Sequence, residues 1–286
     1  MSYSKGKTKS RGSFVVLVIL AAFWLLPTVG LFITSLRAKG EAQTSGWWDV
    51  FLNPFSQDWD LSSYTTVLTE NKLATSFISS LAVTIPATIL PLLFAAYAAF
   101  GFTFLTFRGR EFFFSIIIGL LVVPIQGALV PVLKMFISFT DKTGIEISGQ
   151  YAAAWFVHSA FAMPLAIYIL RNYMMTIPNT LIEAARMDGA NNFRIFRSIT
   201  LPQLNRFIQF SFIITVISAF TALFSLIFVM TGGGPGFGTT TLEFFIFQSA
   251  FSRGNFGTGA MLGVILFFMM AVLGIGQLLL MRNKDE

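Results

Sequence analysis

The polar side chains that could act together in this chain are concentrated in one short stretch, residues 183–202. Glu183, Arg186 and Asp188 are followed closely by Arg194 and Arg197, although the chain as a whole is 55% apolar and only 11% charged. Carboxylate and guanidinium groups at this density can make charge-assisted hydrogen bonds to another macromolecule. The stretch therefore predicts a docking surface for a soluble partner.

Residue patterns for catalysis or cofactor binding are missing from the sequence. The chain has no cysteine and a single histidine, so the usual thiolate and histidine ligands of metal sites are lacking. Its one Gly-Lys-Thr triplet, residues 6–8, has Met1 where the first glycine of a phosphate-binding loop should stand. We predict no enzyme activity and no cofactor in this chain, and we expect any energy source to lie on another polypeptide.

Long apolar runs around the docking stretch predict an all-α membrane protein. A helix needs about 20 apolar residues to cross a bilayer, and six segments qualify, near residues 14–35, 76–102, 112–136, 150–170, 207–230 and 256–281. The first run exceeds the apolar region of a signal peptide, so we predict that it is retained. The whole chain, 1–286, is then a single transmembrane domain, with one long loop at 171–206.

The distribution of positive charge predicts the orientation of these spans. The chain has 19 Lys and Arg residues. Thirteen are predicted on the side of the membrane that holds both termini. Six are predicted on the opposite side, namely Arg37, Lys39, Lys72, Lys134, Lys142 and Arg253. The positive-inside rule then places both termini and the 171–206 loop in the cytoplasm. Because the net charge of +6 comes mostly from residues that flank apolar runs, it does not favour nucleic-acid binding.

The predicted spans contain no Asp or Glu. Carriers driven by protons or sodium usually keep a carboxylate in the membrane, and the mid-span ionisable groups here are His158 and, near a span end, Lys134. A stand-alone secondary carrier for a neutral solute is therefore the weaker alternative. A polytopic membrane enzyme is weaker still, because it would need a cluster of acids and histidines at one face.

The 171–206 loop predicts two short helices separated by a tight turn. Thr180 and Glu183 have the spacing of a capping box after Pro178, so the first helix would run over 181–188. Gly189 supplies a left-handed residue that ends it. Either Asn191 or Asn192 can cap the second helix.

The second helix would carry Phe193, Phe196 and Ile199 on one face, and Pro202 would close the unit. From the residues alone, a protein-docking hairpin and a merely interfacial amphipathic hairpin are equally good interpretations.

At these residues the chain resembles a known family. The run Glu183-Ala-Ala, then Asp188-Gly-Ala, with Ile177-Pro178 before it and Leu201-Pro202 after it, is similar to the EAA loop of permease subunits in bacterial ABC importers. The Ala-Ala-Tyr-Ala sequence at 95–98 and the six spans fit the same family. The resemblance is strongest to six-span permeases of the maltose and α-glucoside type.

The resemblance implies that the loop is a coupling helix seated in a cytoplasmic ATPase subunit. Glu183 would make polar contacts with the ATPase, Ala184 and Ala185 would allow close approach, and Asp188 and Gly189 would shape the turn. Phe193 and Phe196 would anchor the loop to the permease. It further implies a second, homologous permease as heterodimer partner, two ATPase subunits that bind ATP and Mg²⁺, an extracytoplasmic solute-binding protein, and a location in the bacterial cytoplasmic membrane.

Uncharged spans suit a neutral polyhydroxylated solute, such as a sugar or glucosyl compound. The candidate pathway residues are Gln126, Tyr151, Ser159, Tyr168 and Ser218, although hydrogen bonds between helices explain each of them equally well. The Gly-rich run 231–238 and the Trp-rich segment 45–48 resemble parts of sugar permeases. We predict a short outer or re-entrant helix over 239–251, and the solute could be an α-glucoside, glucosylglycerol, trehalose or maltose.

Overall fold

The computed structural model describes residues 11–69, 71–221 and 223–282, and this part of the chain is helical with no strand. A single antiparallel bridge pairs Arg37 with Trp59. The helices in chain order are α1 Arg11–Leu36, α2 Lys39–Thr44, α3 Asp49–Leu52, α4 Ser62–Thr69, α5 Asn71–Phe104, α6 Arg110–Leu120, α7 Ile125–Thr143, α8 Tyr151–Met174, α9 Asn179–Met187, α10 Asn192–Ile195, a π-helical turn Phe196–Thr200, α11 Leu201–Gln203, α12 Asn205–Thr221, α13 Phe224–Met230, α14 Leu242–Phe247, a π-helical turn Gln248–Ser252 and α15 Phe256–Arg282.

Four of the predicted spans are single helices with the length and composition to cross a membrane. These are α1, α5, α8 and α15, in which the apolar stretches run over Gly12–Leu36, Lys72–Phe104, Tyr151–Met174 and Phe256–Leu279. Helices satisfy their backbone hydrogen bonds internally, which is the condition for crossing lipid. The prediction of an all-α, multi-pass membrane protein is confirmed.

The predicted third span, 112–136, is bent sharply. Helices α6 and α7 meet at 103° across a break of four residues. Pro124 occupies the position before α7 in an extended conformation, with ψ at 122°. Proline lacks an N–H and disfavours the helical conformation of the residue before it, Val123, which favours a break at this point. A continuous helix over 112–136 was therefore wrong.

The predicted fifth span, 207–230, is also divided. Helix α12 ends at Thr221 and α13 begins at Phe224, with Leu223 in the cap position. The apolar part of α12 among the described residues, Phe207–Ser218, is shorter than a full span. The division matters because it exposes the first N–H groups of α13 to partners from other segments.

The chain divides into two compact units. One contains the described residues before position 70 together with Ile246–Phe268, and the other contains residues 71–245 and the described residues from Met269. In the first unit, Gly263 of α15 packs directly against Leu31 of α1. A single domain over 1–286 stays a prediction.

Helices α5 and α8 form the centre of the second unit. Their contact is rich in small buried side chains, which allow two helices to approach closely; these include Ala87, Ala95, Ala99, Ala153 and Ala154. The indole N–H of Trp155 donates to the carbonyl of Ala82 at 2.9 Å, which fixes the register of the two helices. Irregular segments pack against both ends of this helix pair.

Candidate functional site

Residues 177–204, here called the knob, fold as the predicted pair of short helices. Helix α9 begins at Asn179 and Pro178 stands in its cap position, without a side-chain hydrogen bond. Thr180 therefore lies in the first helical turn rather than at the cap, and the predicted capping box is wrong. The Pro178 side chain has no acceptor atom, and the Leu181 N–H donates instead to the carbonyl of Pro178 at 3.1 Å.

The turn between the two helices follows the prediction. Gly189 has φ at +79°, a left-handed conformation that side chains other than glycine rarely adopt. The Ala190 N–H donates to the carbonyl of Ala185 at 2.9 Å, and the Gly189 N–H donates to that of Arg186 at 3.0 Å. These bonds satisfy carbonyl groups at the end of α9 in the way that a C-terminal glycine permits.

The second helix is capped by Asn191, one of the two candidates. Its Oδ1 accepts the N–H of Arg194 at 2.8 Å. Helix continues through α10, the π-helical turn and α11 as far as Gln203, so Pro202 does not close the unit as predicted. Proline is compatible with the first turn of α11, where its missing N–H would have no partner.

Apolar side chains anchor the knob to α5 and α8. Ile182, Ile195 and Leu204 are buried in one cluster with side chains of both helices, namely Ala95, Ala96, Ala99 and Phe100 from α5 and Ile167, Leu170 and Met174 from α8. The Phe196 ring lies 5.5 Å from that of Phe100 and 5.7 Å from that of Tyr97, in edge-to-face geometry. Phe196 is placed as the resemblance implies.

Phe193 is not an anchor within this chain. Its side chain is 60% exposed, whereas Ile195 two residues later is fully buried. The side of the segment that turns inward carries Ile195, Phe196, Ile199 and Thr200, and Phe193 lies outside it. Ile195 therefore takes the place that the spacing assigned to Phe193.

The outward surface of the knob combines charged and apolar groups. Glu183, Ala184 and Asp188 are exposed, as are the large side chains of Leu181 and Met187. Ala185 is half-buried against the anchoring cluster. An exposed surface of this mixed kind is typical of protein–protein contacts, in which apolar anchors are surrounded by polar groups.

Two arginines brace the same end of the molecule. The Arg186 Nη2 donates to the carbonyl of Phe104 at 3.1 Å, at the end of α5 where a helix carries partial negative charge. The Arg171 Nη2 lies 2.9 and 3.1 Å from the two carboxylate oxygens of Glu111 on α6. The Arg171 guanidinium also stacks 3.9 Å above the Phe114 ring. The knob and α6 are thus tied to the helices that anchor them.

At the opposite end of α5 and α8, the Gly-rich run 231–238 folds over the helix ends. Gly233 has φ at +82°, and a Cβ there would lie 2.6 Å from the Thr240 Oγ1 and 2.8 Å from the Phe244 ring. The Ser79 Oγ donates to the carbonyl of Gly238 at 2.7 Å, and the Leu242 N–H donates to the Ser80 Oγ at 2.8 Å. A short helix, α14, follows with its π-helical turn, which confirms the helix predicted over 239–251.

The five candidate pathway residues lie in different environments. Tyr151 is half-buried, and its hydroxyl contacts the Ser79 Oγ at 3.1 Å and the carbonyl of Gly238. Gln126 and Tyr168 are exposed, Ser218 is half-buried, and the buried hydroxyl of Ser159 has no hydrogen-bond partner among the described residues. Tyr151 therefore braces the Gly-rich run, and a role in solute passage stays a prediction for all five.

Sequence analysis missed a set of buried hydroxyls on α5. Ser76, Thr84 and Thr88 are buried, and their hydroxyls have no hydrogen-bond partner in the described part of the chain. Their spacing of eight and four residues could have been recognised as one helix face. An unpaired buried hydroxyl is costly, so these groups are candidates for contact with a polar solute.

Glu243 was missed as well, because it lies outside the predicted spans. The N–H groups of Leu223 and Phe224 at the start of α13 donate to its carboxyl group, and burial raises the pKa of Glu243 to about 7. Nothing in the local sequence of α14 points to this contact. The contact depends on the break between α12 and α13, and the sequence predicted no break there.

The fold and the knob together define a class, the membrane-spanning subunits of transporters. One solved structure, a bacterial ABC transporter involved in the import of the acidic polysaccharide alginate, has the same fold with a TM-score of 0.69 over 96% of both chains. The sequences are 14% identical.

Residues 76–284 match the family of inner membrane components of binding-protein-dependent transport systems, and the chain belongs to this family. The osmoprotective compounds uptake permease protein GgtD of Synechocystis sp. is 38% identical over 189 residues, which is 66% of this chain and 61% of that protein. The alpha-glucoside transport system permease protein AglG of Rhizobium meliloti is 41% identical over 142 residues, which is 50% of this chain and 37% of that protein. The chain thus matches about three fifths of the first relative's length and less of the second's.

Proposed function

We propose that this chain is the transmembrane permease subunit of an ATP-driven importer that moves a sugar or glucosyl-type solute across the bacterial cytoplasmic membrane. The observation that carries the proposal is the knob, which presents Glu183, Met187 and Asp188 outward while Ile182, Ile195 and Phe196 hold it to α5 and α8. A docking surface fixed rigidly to two spans can pass on a force applied by a partner.

The partner that applies this force is a cytoplasmic ATPase subunit, one of two in the complex, and it binds the ATP and Mg²⁺. When the ATPases close around ATP, they move the knob. The apolar anchors then transmit the displacement to α5 and α8, because packed interiors transmit strain and compress little. The two helices change their tilt, and access to the pathway alternates between the two sides of the membrane.

Family membership supports the remaining partners of the proposal. A second, homologous permease completes the pathway as a heterodimer, and an extracytoplasmic solute-binding protein delivers the solute. The binding protein favours the outward-facing state by binding it more tightly than the inward-facing one. Both termini and the knob lie in the cytoplasm, as the distribution of Lys and Arg predicts.

A sugar or glucosyl solute is supported by the names of the two relatives, which concern osmoprotective compounds and alpha-glucosides. The buried hydroxyls of Ser76, Thr84, Thr88 and Ser159 suit a solute rich in hydroxyl groups, since each can both donate and accept a hydrogen bond.

The substitution Glu183→Lys tests the proposal. Reversing an exposed charge at the centre of the docking surface should lower solute import and solute-stimulated ATP hydrolysis by about tenfold, the equivalent of about 1.4 kcal/mol. The complex, reconstituted in liposomes, should be assayed for both activities, with membrane insertion followed by the yield of detergent-extracted chain.

Glu146→Lys is the matched control, because Glu146 is an exposed acid on the loop between α7 and α8. It should leave import and ATP hydrolysis unchanged. Normal import by the Glu183→Lys variant would contradict the coupling role of the knob. Solute flux in liposomes that contain this chain without any ATPase would instead support a stand-alone carrier.

A further inference from the structure

A row of large apolar side chains is exposed on the segment that follows α1. Trp48, Phe51, Leu52 and Phe55 are each more than half exposed, and Phe55 is fully exposed. Phe51 and Leu52 lie three and four residues after Trp48, which places these three side chains on one side of α3, and Phe55 lies in the turn that follows the helix. An exposed apolar row of this kind marks a surface that contacts something other than water.

The other side of the same segment is polar and internally bonded. The Asp49 carboxylate accepts the Asn53 Nδ2 at 2.8 Å and the Gln57 Nε2 at 3.3 Å. The Gln57 Nε2 also donates to the carbonyl of Asn53 at 3.1 Å, and the Ser56 hydroxyl donates to the same carbonyl. Residues 48–57, here called the amphipathic element, thus have a closed polar side and an open apolar side.

The depth of this element is set by its contact with α1. Gly30 is buried beneath the Trp47 indole so closely that a Cβ on Gly30 would lie 2.6 Å from the indole nitrogen. Gly30 precedes the end of α1 at Leu36 by six residues, or about 9 Å at 1.5 Å per residue. The Trp47 indole therefore reaches back to a level within the last turns of α1.

Hydrogen bonds at both ends of the segment fix this return. The buried Arg37 guanidinium donates to the carbonyls of Ser45 and Gly46 at 3.0 and 3.1 Å, just before Trp47. After the amphipathic element, the Ala38 N–H donates to the carbonyl of Asp58 at 2.9 Å, and the Asp60 N–H donates to that of Leu36 at 2.9 Å. The amphipathic element is therefore bounded on both sides by contacts with the C-terminal end of α1.

Lipid is the partner that fits this position. Helix α1 is 26 residues long, about 39 Å, which exceeds a hydrocarbon core of about 30 Å. The level of Gly30 is therefore close to the hydrocarbon boundary, where tryptophan and other amphipathic side chains concentrate. Helix α1 itself exposes large apolar side chains, among them Trp24, Val29 and Phe32, as expected of a lipid-facing span.

We propose that the amphipathic element lies in the membrane interface at the C-terminal end of α1, with Trp48, Phe51, Leu52 and Phe55 inserted at the boundary between lipid headgroups and acyl chains. Its polar side, closed by Asp49, Asn53 and Gln57, faces the aqueous phase. The arrangement resembles that of an interfacial amphipathic helix, which buries its apolar side about 5–10 Å into that boundary; the helical part of this element is α3. The element anchors the end of α1 at a fixed depth.

The absence of cysteine from the sequence allows a direct test. Phe55→Cys and Leu52→Cys place a label on the apolar side, and Ser56→Cys places one on the polar side. Each complete chain carries an environment-sensitive fluorophore at its new cysteine in phosphatidylcholine vesicles. Quenching is measured with nitroxide lipids that carry the spin label near the headgroup, and separately with aqueous iodide. Phe55 is fully exposed, so its replacement removes no contact needed for folding.

Labels at positions 52 and 55 should be quenched several-fold more by the nitroxide lipids than the label at position 56, and several-fold less by iodide. Equal quenching of all three labels by iodide would overturn the proposal. Protection of positions 52 and 55 from iodide without quenching by lipid would also overturn it, because a protein surface would then cover the apolar side.

Discussion

The two ends of α5 and α8 are joined to irregular segments by contacts of different kinds. At one end the knob is held mainly by apolar packing, with Ile182, Ile195 and Leu204 in a cluster. At the other end Ser79 and Ser80 hydrogen-bond to the run that leads into α14. The two attachment points lie about 24 Å apart along α5, since 16 residues separate Ser80 from Ala96.

This difference separates two tasks. Apolar packing is non-directional, so a packed knob resists separation while it tolerates small changes in angle. Hydrogen bonds weaken steeply when their angles change, so the contacts at the opposite end favour one register. In the proposed importer, a force applied at the knob would therefore act against a segment that is held in one register.

The largest effect is expected where the knob is anchored. Ile195→Ala removes a fully buried side chain from the cluster, and it should lower the free energy of unfolding by about 2–5 kcal/mol. Phe193→Ala, two residues earlier and mostly exposed, should change it by less than about 0.5 kcal/mol. Thermal or denaturant unfolding of the complete chain in detergent measures both.

For binding of the proposed ATPase subunit, we expect Phe193→Ala to have its larger effect. Phe193→Ala should weaken binding of the ATPase more than it affects stability, since its ring belongs to the exposed surface. Equal losses of stability in the two variants would mean that Phe193 also anchors the knob, as the family resemblance implied.

Local chemistry in the sequence was sufficient to predict most of the knob. Gly189 and Asn191 have preferences that depend on their immediate neighbours, and both serve as the turn and the cap that were predicted. The four uninterrupted spans were also predictable, because apolar length alone decides whether a helix crosses lipid.

Features that depend on irregular helix geometry were not predictable. Ile195 rather than Phe193 faces the core, and this depends on how α10 packs against α5 and α8, which the 3.6-residue spacing alone does not give. Pro124 was visible in the sequence, yet proline occurs inside α1, α5 and α8 without ending them. The position of Glu243 depends on a break in another segment, and no local pattern carries that information.

The comparison between the two ends is sharpened by a pair of glycines. Gly189→Ala meets no atom within 4 Å, so its cost is the left-handed conformation alone, about 1–2 kcal/mol. Gly233→Ala has the same conformational cost and also places a Cβ against Thr240 and Phe244. It should destabilise the chain by about 1–3 kcal/mol more than Gly189→Ala, because overpacking adds to strain.

Unfolding of the two variants side by side in detergent gives this difference directly. Gly40→Ala, in α2 with nothing near the new methyl group, is the control and should be neutral or slightly stabilising. If Gly233→Ala destabilises the chain no more than Gly189→Ala does, the contact with Thr240 and Phe244 relaxes freely. The Gly-rich run would then be held less tightly than its contacts indicate.

The smallest effect is expected from Glu243, and it depends on pH. Its pKa rises from 4.5 to about 7 on folding because the group is buried. As pH rises above about 4.5, the unfolded chain loses this proton before the folded chain does, so the folded state binds more protons and stability falls. The loss is complete once pH exceeds about 7. Since the side chain is partly exposed, solvent screening limits it to below about 1 kcal/mol.

Glu243→Gln should remove this pH dependence while its amide oxygen still accepts the N–H groups of Leu223 and Phe224. The melting temperature of the variant should therefore fall less than that of the native chain between pH 4.5 and about 7, and Glu146→Gln, at an exposed acid, should follow the native curve. Parallel curves for Glu243→Gln and the native chain would mean that the carboxyl group ionises freely in the folded state. The end of the molecule opposite the knob would then tolerate a charge beside the break in the fifth span, and its register would depend on Ser79, Ser80 and Gly238 alone.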